Sequence, residues 1–198
     1  YPDEWRDHLE WFTRLPLYRQ YPYFRVTHAC WDAKAIARHE QAGHTSHLGQ
    51  AGLMALADPQ SAIARLTKRL TTGVEIALPN EAAMLTAEGY LRHNFRARFW
   101  GDRPHTYGDC VFQPDPIAPE IAEKPLSDQQ QQALVLYDSA EPILFIGHYW
   151  LNGIPQPIAP NIACLDYSAV KFGRLVAYRM DQESVVDPQK FVWVYVDP

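Results

Sequence analysis

Cysteine is scarce in this chain, and the three present, Cys30, Cys110 and Cys164, stand in unrelated contexts. An odd number so placed argues against a disulfide framework and points to a reducing, cytoplasmic setting. No basic run occurs and the formal net charge is −5, which speaks against a nucleic-acid surface. No apolar stretch approaches the ~20 residues of a membrane span, and no signal peptide is visible. Internal repeats are also missing, and the only low-complexity tract is Gln129 to Gln132.

What the chain does have is apolar and aromatic content, 47% and 13%. Over 198 residues that composition predicts one packed domain, 1–198, with a sizeable core. Asp3 to Arg14 reads as a helix, with Trp5, Leu9 and Phe12 on one face and Pro16 as its stop. Tyr23 to Thr27 reads as a strand, and Ala33 to Gln41 as a helix ending near Gly43. Asp58-Pro59 has the form of a cap with proline at the first helical position. Ile63, Leu66 and Leu70 then recur at helical spacing before Gly73, so 33–90 is expected to be mainly helical. Phe95 to Trp100 alternates apolar and basic residues, like a half-exposed strand carrying Arg96 and Arg98. Residues 101–126 read as irregular loop, and Ser127 with Gln130 as a capping box for a helix to about Tyr137. Strands are expected at Ile143 to Gly147, Asn161 to Asp166, Leu175 to Arg179 and Phe191 to Val196.

Two of these strands end on a histidine. His28 follows Tyr23-Phe24-Arg25-Val26-Thr27, and His148 follows Ile143-Leu144-Phe145-Ile146-Gly147. A side chain at the end of a buried strand is held rigidly where the sheet meets solvent, which is where open α/β sheets place their sites. Two such ends can aim two imidazoles at one metal ion.

The segments Thr27-His28-Ala29-Cys30-Trp31-Asp32 and Gly147-His148 resemble motifs of the calcineurin-like metallophosphoesterases, of the bacterial serine/threonine-phosphatase and diadenosine-tetraphosphatase type. Asn161 to Ser168 followed by Gly173-Arg174-Leu175-Val176-Ala177-Tyr178-Arg179 resembles the strand pair that follows the Gly-His motif there. The likeness covers roughly 1–32 and 140–181. It implies an α/β fold, the C-terminal half of a two-sheet sandwich, with 33–126 as a mainly helical and loop elaboration. It implies that His28 and His148 bind the same one of two divalent metal ions, for which imidazole suits Mn, Fe and Zn. The family's Asp-x-His, Gly-Asp-x-x-Asp-Arg-Gly and Gly-Asn-His-Glu motifs do not occur in this sequence. The resemblance therefore implies a phosphate-ester hydrolase only when an N-terminal half of the same protein, or a dimer partner, completes the site. The alternative is a non-catalytic binding or regulatory module derived from such an enzyme. A third reading is an unrelated α/β domain whose two histidines lie far apart.

Other candidates are weaker. Asp32 and Asp166 could orient a ligand imidazole; a helix cap for Asp32 and a turn or buried hydrogen bond for Asp166 compete with that role. Tyr149 and Trp150 are candidate walls of a substrate pocket, against a role in core packing. His44 and His47 have a spacing a metal could use on a helix but lie in a polar, Gly-bounded stretch that favours a solvated loop. Cys30, two residues from His28, could supply a thiolate, but no Cys-x5-Arg loop accompanies it and a buried cysteine is the commoner case.

Overall fold

The computed structural model describes residues 1–79, 82–85, 89–112 and 117–197. The chain folds as two compact units, one of Tyr1–Thr72 with Ser139–Pro198 and the other of Gly73–Asp138. The stretch 33–126, expected as one elaboration within a single domain, straddles them. Its first helices belong to the first unit, and the second begins at Gly73, where φ of +80° turns the chain out of a helix.

In chain order the first unit opens with α1 (Pro2–Arg14), β1 (Tyr18–Gln20), β2 (Phe24–Thr27), α2 (Ala33–Gln41), α3 (Gly49–Ala55) and α4 (Ala62–Thr72). The second holds β3 (Val74–Ala77), β4 (Met84–Leu85), β5 (Leu91–Arg92), β6 (Asn94–Ala97), α5 (Tyr107–Cys110), α6 (Pro119–Ala122) and α7 (Asp128–Ala133). The first unit then resumes with β7 (Ile143–Ile146), β8 (Ile162–Cys164), β9 (Asp166–Tyr167), β10 (Arg174–Tyr178) and β11 (Phe191–Tyr195). The protein is thus a mixed α/β fold with several small sheets. Among the described residues no helix is long and apolar enough to cross a membrane.

Local chemistry explains most of these boundaries. The Asp32 carboxylate accepts the Ala35 N–H and starts α2, and Gly43 follows its end with φ of +83°. The cap of α4 is Ser61, whose hydroxyl accepts the Ala64 N–H, and not Asp58, which accepts the Gln60 N–H in the preceding turn. Helix does not continue to residue 90. After Gly73, Val74 and Ile76 are buried while Glu75 and Ala77 are exposed, a period of two that makes β3 a strand antiparallel to β6. The capping box of Ser127 and Gln130 opens α7, which ends at Ala133 because Leu134 is extended. The expected loop at 101–126 contains α5, held by a second capping box of Thr106 and Asp109.

In the first unit, one sheet has strand order β1-β2-β7-β8 and the other β11-β10-β9. β2, β7 and β8 are parallel, with Val26 opposite Phe145 and Phe145 opposite Ala163. All four residues of β7 are buried, as a central parallel strand requires. The single strand expected at Asn161 to Asp166 is two, β8 and β9, lying in different sheets. Side chains from both sheets, including Phe145, Ala163, Tyr167, Val176 and Phe191, share one core cluster.

Candidate functional site

Parallel neighbours finish on the same edge of a sheet, so the residues that follow β2, β7 and β8 converge. Extending the register by two places sets His28 opposite Gly147, and the Gly147 N–H donates to the His28 carbonyl at 2.8 Å. A Cβ added to Gly147 would lie 3.7 Å from both the His28 carbonyl oxygen and the Asp166 Cβ. The His28 segment is also tied to the C-terminal end of α4. The Ala29 N–H donates to the Leu70 carbonyl at 2.7 Å, and Cys30 Sγ donates to the Arg69 carbonyl at 3.2 Å. These bonds use carbonyls that a helix end leaves without an intrahelical partner.

His148 is held in an unusual conformation. Its φ is +70°, and the Tyr149 N–H closes onto the Gly147 carbonyl at 2.9 Å. That is a three-residue γ-turn of the rare positive-φ kind. Tyr149 anchors the turn, because its hydroxyl donates to the Ala29 carbonyl at 3.0 Å across the strand ends. The two histidine-bearing segments therefore bind each other through both backbone and side chain.

His28 and His148 line the same open groove of about 740 Å³, which Asp166 also lines. Their centroids are 5.2 Å apart with planes tilted by 52°. Two imidazoles on a tetrahedral ion at about 2.1 Å each put their ring centroids roughly 5 Å apart. The observed centroid separation matches that spacing. Among the described residues no group of three or more His, Cys, Asp or Glu side chains is placed to hold a metal, so the fit is to half a coordination sphere. The cationic residue of the groove escaped the sequence reading. Arg19 lies on its wall, carried by β1, a three-residue strand between Pro16 and Pro22 that is too short to show alternation.

The remaining candidates divide. Asp166 reaches the groove, yet its Oδ1 accepts the Ser168 N–H at 3.1 Å and shapes the turn after β9 begins. Asp32 is a helix cap, with Oδ2 3.5 Å from Arg69 Nε, and lines a different cleft. Tyr149 is buried and Trp150 is half-exposed, with the Lys171 ammonium 4.2 Å above its ring. Neither is among the residues that line the groove. Cys30 is fully buried, which pushes its thiol up to about 12 despite the nearby Arg69. Such a thiol does not act as a nucleophile near neutral pH. His44 and His47 are exposed in the loop after α2, with the His44 ring stacked on His39 at 4.8 Å. Arg96 and Arg98 are half-buried in and beyond β6, in the second unit.

Compared with known proteins, the chain matches no family model, no curated protein and no solved structure.

Proposed function

We propose that this chain is the C-terminal half of a calcineurin-like metallophosphoesterase, hydrolysing phosphomonoesters, phosphoproteins or dinucleoside polyphosphates in the complete protein. One observation carries the reading: two imidazoles, 5.2 Å apart, end adjacent parallel strands above an open groove. The sharing of a core cluster by two sheets supports the C-terminal part of a two-sheet sandwich.

His28 and His148 would hold one divalent ion, Mn, Fe or Zn, of the two in the complete enzyme. Such ions, when bound, lower the pKa of a coordinated water and neutralise phosphate charge. The chain itself contributes positioning and a cation. The Leu70 and Ala29 carbonyl contacts and the γ-turn hold the backbone on either side of both histidines. Arg19 on the groove wall offers a guanidinium to the ester's phosphate. The other metal donors and the acid for the leaving group must come from the N-terminal half or a dimer partner. Alone, with two donors, this chain is expected to bind metal weakly and turn over little. That shortage of donors is also what favours the second reading, a non-catalytic binding module.

The test is Mn²⁺-dependent hydrolysis of p-nitrophenyl phosphate by the full-length gene product. His28→Ala and His148→Ala should each lower kcat/KM by about 100-fold or more. Absence of metal-dependent turnover, or full activity in both variants, contradicts the reading.

A further inference from the structure

We propose that the cleft between α2 and α4 binds a phosphate-bearing anion, independently of the histidine groove. The cleft has a volume of about 410 Å³, within the range of small-ligand sites. Arg38 of α2 and Arg65 and Arg69 of α4 line it. Three guanidinium groups thus face one space in a chain whose formal net charge is −5.

Only one carboxylate is among the lining side chains, and it is already engaged. Asp32 Oδ1 accepts the Ala35 N–H at 2.9 Å, and Oδ2 lies 3.5 Å from Arg69 Nε. Three cations against one anion leave a formal surplus of two positive charges around the cleft. Arg65 and Arg69 are four residues apart on one helix, a like-charge pairing that repels unless an anion lies between.

The arginines are also partly pre-set. Arg38 donates through Nε to the Lys34 carbonyl at 3.2 Å, and Arg65 donates through one terminal nitrogen to the Gln60 carbonyl. One bond apiece tethers each guanidinium to a backbone carbonyl. Planar forks recognise phosphate through paired hydrogen bonds, where a lysine offers only a point charge. The small side chains of Ala35 and Ala62 are also among the lining. A solvated basic face would need neither the enclosing cleft nor the backbone tethers.

The experiment is calorimetric titration of the whole chain with sodium tripolyphosphate at low salt. One equivalent should bind. The double variant Arg38→Gln/Arg65→Gln should bind at least ten-fold more weakly; both side chains are exposed, so its melting curve should match wild type. The double variant His28→Ala/His148→Ala should bind like wild type, which separates this proposal from the phosphoesterase reading. Failure of wild type to bind, unchanged affinity in the arginine variant, or loss of binding in the histidine variant overturns the proposal.

Discussion

His148 carries the clearest mark of constraint at the scale of single residues. A non-glycine residue at φ of +70° is disfavoured by contact between its Cβ and the following carbonyl, by about 1 kcal/mol or more. His148→Gly should therefore be more stable than His148→Ala by about 1 kcal/mol in chemical denaturation; equal stabilities would mean the backbone is unstrained there. Tyr149→Phe removes the bond into the buried Ala29 carbonyl and should cost about 1–2 kcal/mol. The cysteines offer a simpler check. Burial pushes Cys30 up to about 12 and Cys110 and Cys164 up to about 11. All three should resist alkylation by iodoacetamide in the native chain at neutral pH and react only after denaturation. The strand-end histidines were legible in the sequence because an apolar run followed by histidine is a local pattern. The fate of Asp32 and Asp166 was not, since cap, turn and outer support of a ligand all ask for the same side chain.

At the scale of elements, turns and loops decide what the sheets can do. Gly173 closes the turn into β10, and a Cβ there would lie 2.1 Å from the Tyr167 carbonyl oxygen. Backbone cannot give way so far, so Gly173→Ala should destabilise the chain by about 3 kcal/mol. A wild-type melting curve for that variant would contradict the tight approach. The loop between β10 and β11 is tied by Glu183, which accepts from Lys190 and from the Tyr178 hydroxyl. Burial opposes its charged form, but these hydrogen bonds outweigh it and hold the carboxyl down at about 2. A depressed carboxyl stabilises the fold above its ordinary range and loses that contribution as pH falls toward its folded value. Glu183→Gln should thus melt lower than wild type at pH 7, with the gap closing as pH falls from about 4.5 to about 2. A gap that stays constant over that range would refute the ionic role. Elements with capping chemistry, such as α2 and α7, could be read from sequence. β1, β4, β5 and α3 could not, because two to seven residues are too few to show a period.

At the scale of the whole molecule, the informative fact is a converging edge. Three parallel strands, one of them more than a hundred residues from the other two in sequence, finish together and bring His28, His148 and Asp166 to one groove. Pairing of β2 with β7 is long-range, and no local pattern specifies it. The family resemblance supplied only the expectation that His28 and His148 meet at one ion, and the division at Gly73 into two units lay outside it. The most direct test of a shared ion is NMR of the histidine ring protons during titration with sub-stoichiometric Mn²⁺, which reports even weak binding through paramagnetic broadening. The account predicts that His28 and His148 broaden together. Broadening of only one of the pair, or of neither, would contradict it.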